Sequence, residues 1–490
     1  MKVLSFLLVA IFCGATSFAQ NEEDALRYSQ TFFGGTARNQ GTAGALSALG
    51  GDFSNASQNP AGLGRMTKSN FSITQNVEIN SMTSDFYGNA RKDLVAKYNW
   101  SNISYVKAYE LNPNKFKNWY SVQIGIGMSR IKSFNQDYAY QGDADSSILH
   151  SFIQEAEGTS ESNIYNWHPF TAGLAYDTYA IDPGPDNTYT TDFTSGKALH
   201  NRTINRTGGI TEYNVLTVSG NYGNKLLLGA SFNYQRIKYS EEFTHAESYT
   251  DSALWIQGIN YTGSLDITGN GFNARIGAIY TPIEQVRIGA AIETPTWMMM
   301  QDFWMNNMTT DTDEGQKFID PTNVPTGSYK YNIRTPFKAN VSVAAVIKKF
   351  GSVGAEVEFV DYSHAKLSDK PLTNSPYSFN DENAQIDNIY RSVLNLKIGV
   401  EGRFTKQLYG RLGFAQYGSP YKSTSGNNLS PTRFYTLGAG YNFGIIYLDL
   451  AYVMQSRNED YYAYDPTING SLANISINNS QILFSIGARF

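Results

Sequence analysis

Side chains that could do covalent chemistry are few in this sequence, and none are grouped for it. The five histidines, His150, His168, His200, His245 and His364, lie far apart and show no metal-ligand spacing. A hydrolytic triad needs serine, imidazole and an acid or amide on neighbouring elements, and no motif brings them together. Cys13 is the only cysteine. It falls in an expected leader, so the mature chain is read as having no disulfide, thiolate metal site or cysteine nucleophile. Gly125-Ile126-Gly127 and Gly438-Ala439-Gly440 sit in alternating segments and read as inward-facing strand glycines, not phosphate loops. No catalytic residue, metal site or cofactor is expected, and the chain is read as a non-enzyme. A net charge of −5 and a pI near 5.7 give no basic footprint for nucleic acid.

Binding chemistry, by contrast, gathers in two stretches. The first is an apolar run within 295–305: Trp297, Met298, Met299, Met300, Phe303, Trp304 and Met305. Contiguous exposed apolar surface marks binding sites, and methionine adapts to ligands of variable shape. The competing reading makes the same residues an aromatic girdle and a packed loop core, and sequence leaves both open. The second stretch, 20–66, does not alternate. It holds Gly34-Gly35-Thr36-Ala37-Arg38, the small-residue run Gly41 to Gly51, and the segment Asp52 to Leu63. Ala43, Leu46, Leu49 and Phe53 recur at near-helical spacing, and Pro60 fixes a bend after Asn59. Small residues of this kind let a backbone pack closely in a confined space.

The elements that must position these stretches follow from patterning. Lys2, the apolar run Val3 to Phe12 and Ser17-Phe18-Ala19 read as a secretory leader cleaved after Ala19, giving a signal peptide over 1–19. Phe12 before Cys13 disfavours lipoprotein processing. Past the leader no stretch reaches the ~18 apolar residues of a transmembrane helix. Mean hydropathy is −0.36, yet Tyr (34) and Phe (28) are abundant, a balance that fits strands with one face in lipid and one in a polar lumen. Period-two alternation recurs along the chain. Ile446, Leu448, Leu450, Tyr452 and Met454 oppose Tyr447, Asp449 and Ala451, and Ile482, Phe484, Ile486 and Phe490 oppose Ser485, Gly487 and Arg489.

Connection lengths separate a membrane barrel from a soluble sandwich. Short turns at Gly223-Asn224, Pro282 to Glu284, Phe350-Gly351, Thr405 to Gln407 and Gly444 alternate with long polar segments near 80–94, 135–198, 243–256, 298–328, 366–386, 419–429 and 458–473. That asymmetry is expected of periplasmic turns against extracellular loops, and so of a Gram-negative outer membrane. Parity counted back from Phe490 predicts fourteen strands over 67–490, with 168–181 assigned to a long loop that also carries a helix at 145–157. The expected fold is all-β: a 14-stranded antiparallel transmembrane β-barrel. A terminal alternating strand ending in Phe490 resembles the sorting signal read by barrel-assembly machinery.

Gly35-Thr36-Ala37-Arg38, Gly50-Gly51-Asp52 and Asn59-Pro60-Ala61, with the small-residue segment around them, resemble the FadL/TodX family of outer-membrane transporters for long-chain fatty acids and aromatic hydrocarbons. The resemblance implies that 20–66 folds back as a hatch or plug inside the barrel, with Asn59, Pro60 and Ala61 as its motif. It implies passive uptake of a hydrophobic small molecule or lipid, first captured at an extracellular loop that Trp297 to Met305 would form. Other expected partners are outer-membrane lipids and lipopolysaccharide around the wall, and proteins docking on the long loops. A second expectation is a FadL-like structural subunit of a larger secretion or assembly complex. A general porin is disfavoured because the N-terminal segment would block its pore.

Overall fold

In the computed structural model, residues 22–490 are described except 195, 370–376, 426–429 and 469. The expected signal peptide, with Cys13, lies outside the described residues. Fourteen antiparallel strands close into one barrel. They are β1 (Asn70–Phe86), β2 (Asn89–Glu110), β3 (Trp119–Ser133), β4 (Ala198–Tyr222), β5 (Leu226–Tyr249) and β6 (Ile256–Ile283). Next come β7 (Val286–Glu293, continued by Trp297–Thr312), β8 (Thr326–Arg334, continued by Lys338–Ile347), β9 (Gly351–Asp361) and β10 (Ser392–Arg403). The set ends with β11 (Leu408–Tyr417), β12 (Thr432–Asn442), β13 (Ile446–Tyr462) and β14 (Leu472–Arg489). Closure is the pairing of β1 with β14, from Asn70↔Arg489 to Asp85↔Asn474.

Alternation explains why a spanning protein reads as mildly polar. Along β10, Leu394, Leu396, Ile398 and Val400 are exposed on the outer wall, while Asn395, Lys397 and Glu401 are buried inside. Every backbone donor and acceptor of a closed wall is paired, which lipid requires. Among the described residues no helix is long and apolar enough to cross a membrane. Phe350, Phe404, Phe443 and Phe490 are exposed around the short-turn end, where an aromatic girdle belongs.

Several segments expected as loops are strand instead. The interval 80–94 is the tip of a hairpin whose only turn is Tyr87-Gly88, both with positive φ (50° and 82°), the signature of a tight type I′ turn. Much of 298–328 belongs to the upper half of β7, which pairs with β6 from Trp297↔Phe272 onward. β4, β5 and β6 run for 25, 24 and 28 residues, whereas crossing the membrane takes only ~9–11. Their far halves therefore stand beyond the bilayer. There the outer face meets water, so the apolar half of the alternation vanishes and a strand reads as loop.

The interval 135–198 begins as strand, with Gln136–Ala144 paired along β4. The expected helix is present as α-helical Ile148–Ala156, capped by Ser147, and 168–181 adds no barrel strand, holding a short helix at Ala172–Asp177. Leu149, Phe152, Ile164 and Leu174 from this interval pack with Tyr261 and Met308 into an apolar cap over the long-loop end.

Candidate functional site: the hatch and its seat in the wall

Residues 22–66 run inside the barrel, as helices α1 (Glu22–Ser29) and α2 (Ala37–Gln40) and two 3-10 turns, Phe53–Ser57 and Pro60–Arg65. The segment is built from caps rather than long helices, because so many small residues cannot support a long amphipathic face. Thr36 caps α2, Asp52 caps the first 3-10 turn, and Asn59 caps the second with Pro60 at its first position. The motifs are joined to one another. Thr36 Oγ1 donates to Asp52 Oδ2 at 2.8 Å, and Thr36 N donates to Ser54 Oγ at 2.9 Å. Arg38 reaches the wall, with Nε and Nη2 both 2.9 Å from the Glu401 carboxylate.

Asn59-Pro60-Ala61 has a seat in the wall. The Asn59 carboxamide donates from Nδ2 to Ala278 O and Ala290 O, each at 3.3 Å, carbonyls on opposed residues of β6 and β7. Its Oδ1 accepts from Ala61 N at 3.2 Å. Three glycines line the seat where the motif presses closest to the wall. A Cβ at Gly229 would lie 2.4 Å from Ala61 N, and one at Gly289 would lie 3.1 Å from Asn59 Nδ2. Gly277 meets Asn59 in the same way. Gly125 and Gly127, read from sequence as inward-facing, make room for Leu63 and Phe53. Ser219 Oγ donates to Ala61 O at 3.0 Å and Ser231 Oγ to Ala56 O at 3.2 Å.

No family model and no curated protein matches this chain. Solved structures do. A Pseudomonas aeruginosa FadL homologue is 14% identical, covers 94% of this chain and 100% of its own, and gives a TM-score of 0.55. The Pseudomonas putida toluene transporter TodX is 13% identical over 94% of this chain and 100% of its own, at 0.53. The chain has the FadL-type fold.

Inside this FadL-type barrel the lumen is filled and charged. Arg275 bridges Glu212 (2.7 and 2.8 Å) and Glu293 (2.8 Å), Lys397 pairs with Glu356 (2.8 Å), and Arg411 pairs with Glu401 (2.7 Å) and Asp449 (2.6 Å). Two small polar cavities, about 40 and 70 Å³, lie beside Phe32 and Phe33. The interior turns apolar further toward the long loops. There Leu26 and Tyr28 of α1 fill a chamber walled by Met298, Met300, Tyr331, Ile333 and Tyr362.

The run at 297–305 requires a correction. It is strand, not loop, because its side chains alternate: Trp297, Met299, Phe303 and Met305 face outward and Met298 and Met300 inward, with Trp304 half-buried against Phe170. The outward set fits the girdle reading, and only Met298 and Met300 touch the interior chamber. Phe490 donates its N–H to Ser69 O at 3.0 Å and stacks beside Tyr105, completing the β14–β1 seam. Sequence reasoning named Arg38 only as part of a motif and Asp449 only as part of an alternating face, and passed over Glu401, Arg411 and the ion-pair cluster the four form. Part of the signal was there: Glu401 and Arg411 are opposed lumen-facing charges on β10 and β11, with Asp449 on β13 beyond the side-chain-free Gly440 of β12.

Proposed function

We propose that this chain is an outer-membrane channel for passive uptake of hydrophobic compounds, such as long-chain fatty acids or aromatic hydrocarbons, gated by its own N-terminal segment. The observation that carries the reading is the seat of Asn59-Pro60-Ala61. A motif held by the Asn59 carboxamide, the Ser219 hydroxyl and a glycine-lined wall is closed tightly, yet no long ladder has to break for it to move. The charged, filled lumen disfavours a water-filled pore. On the lipid side of the same wall, Ala230, Ala278 and Ala290 form the floor of an apolar groove of about 970 Å³, flanked by Val218, Leu228 and Ile276.

In this reading a hydrophobic molecule displaces α1 from the chamber at Met298 and Met300. The hatch then leaves its seat, and the cargo passes along the uncovered, side-chain-poor strip of wall. The solved neighbours described as a FadL homologue and a toluene transporter support the cargo class. Native mass spectrometry after gentle detergent extraction tests it. A bound lipid or hydrocarbon with no stoichiometric protein partner is expected. Stoichiometric partners and no small ligand would overturn it.

A further inference from the structure

We propose that the short-turn mouth of the barrel holds an oxyanion, a phosphate or carboxylate group, that ties the hatch to the wall. The inference goes beyond cargo uptake and holds whichever cargo passes. A vestibule of about 600 Å³ opens at this mouth, floored by hatch residues and walled by strand ends. Nine of its lining side chains are basic, and only Glu401 and Asp449 are acidic. Both carboxylates are already taken by Arg38 and Arg411, at 2.6 to 2.9 Å. Setting those two arginines aside leaves seven cations, Lys348, Lys349 and Arg403 among them, with no carboxylate within 4.0 Å among the described residues. The chain as a whole carries −5, so this positive charge is local rather than general.

One of the seven is not a solvated surface group. Arg287, at the start of β7, is 7% exposed. Its Nη1 donates to Leu49 O at 3.3 Å, and its Nε has no partner. Arg65 lies beside Gly50, the residue after Leu49, its Cβ 3.3 Å from the position a Cβ on Gly50 would take. Gly51, next in the floor, has φ +79 with open space where a side chain would stand. Arg287 from the wall and Arg65 from the hatch therefore flank a cleft that no side chain fills. A guanidinium with an unused donor in a partly desolvated cleft suits a carboxylate or phosphate, which accepts two parallel N–H bonds. The outer lysines are screened beyond a Debye length of ~8 Å at physiological salt and mainly attract the anion, whereas Arg287 retains it. Since Arg65 belongs to the hatch and Arg287 to the wall, occupancy holds the hatch closed.

The test uses the full-length barrel in non-ionic detergent. Inorganic phosphate is titrated calorimetrically with ionic strength held constant by sodium chloride. In a second arm, phosphatidylglycerol is compared with phosphatidylcholine in mixed micelles. Saturable one-to-one binding is expected, weakened tenfold or more by Arg65→Gln and by Arg287→Met and unchanged by Lys115→Gln, an exposed turn lysine outside the vestibule. Arg65 is exposed, so its variant keeps the test valid if Arg287→Met misfolds. Saturation by phosphate assigns the site to a free oxyanion, and saturation by phosphatidylglycerol alone assigns it to a lipid headgroup. Heat that is non-saturable in both arms, or that both arginine variants leave unchanged, overturns the proposal.

Discussion

Adding one methyl group at Gly229 should unseat the hatch without unfolding the barrel. The new Cβ would stand 2.4 Å from Ala61 N and from Pro60 C, and 2.6 Å from Pro60 O. Ordinary contact begins near 3.4 Å, so the hatch must retreat by about 1 Å. All three atoms are backbone, so no side chain can rotate away. Overpacking of this kind costs ~1–3 kcal/mol, and that falls on the hatch because the wall's own ladders are untouched. The equilibrium between seated and unseated hatch then shifts by ~5- to 150-fold. Hydrogen exchange of peptides covering 46–65 reads the shift directly, since Gly51 N and Gly62 N are bonded only within the hatch, to Gly62 O and Asn59 O. Exchange in Gly229→Ala should quicken by that factor, while peptides of β4, β5 and β6 keep their protection. Unchanged exchange in 46–65 would refute the seat, as would a variant whose whole barrel loosens instead.

Three further perturbations follow from the same geometry. Asn59→Asp removes both donors to Ala278 O and Ala290 O and sets a carboxylate against two carbonyls, so it should free the hatch more than Asn59→Ala, which costs ~1–3 kcal/mol. Single-channel conductance steps, frequent in Asp and rarer in Ala, would show the ranking, and equal traces would contradict it. Glu212→Gln leaves Arg275 with only Glu293, and breaking such a buried pair costs ~3–5 kcal/mol; a thermal melt that does not move would show the lumen to be more hydrated than the geometry implies. The last concerns the outer cap, beyond the bilayer, where Glu247, His200 and Arg202 surround His245.

Burial holds the His245 imidazole down at about 4, against 6.5 for a free one. The folded cap thus binds fewer protons than the unfolded chain between those values, so its stability is full above pH 6.5 and falls as the pH drops toward 4, by up to about 3 kcal/mol. Intrinsic-rate-corrected hydrogen exchange of 147–158 should quicken between pH 7 and 5, and His245→Asn should flatten the change. A profile that is flat in the parent protein would remove His245 from the account.

How far the sequence reached depends on what each residue faces. Leu394, Leu396, Ile398 and Val400 meet lipid and alternate with Asn395 and Lys397, so spanning strands were legible and their number followed from parity. Above the bilayer that contrast disappears. Ser81, Thr83 and Asp85 of β1 can face outward beside Met82 and Phe86 facing inward without any apolar outer row, so 80–94 read as loop. The Trp297 run misled for the opposite reason: apolar residues on both faces of β7 concealed its alternation, one face meeting the girdle and the other the chamber. The hatch motifs were visible as composition. Their pairing was not, because the bond from Thr36 to Asp52 closes a 16-residue irregular loop with no periodicity to mark it, and the seat of Asn59 lies on β6 and β7, more than two hundred residues away along the chain.

The central claim is that hydrophobic molecules cross by movement of the hatch. Ala61 and Leu227 pack together in the seat, so cysteines at both positions, bridged by a cleavable thiol cross-linker, should lock it. Uptake of a radiolabelled long-chain fatty acid and of toluene is then measured in proteoliposomes before bridging, after bridging, and after cleavage. The account predicts saturable uptake of at least one of them that stops on bridging and returns on cleavage. Uptake that ignores the bridge, or that never exceeds protein-free vesicles, would contradict it.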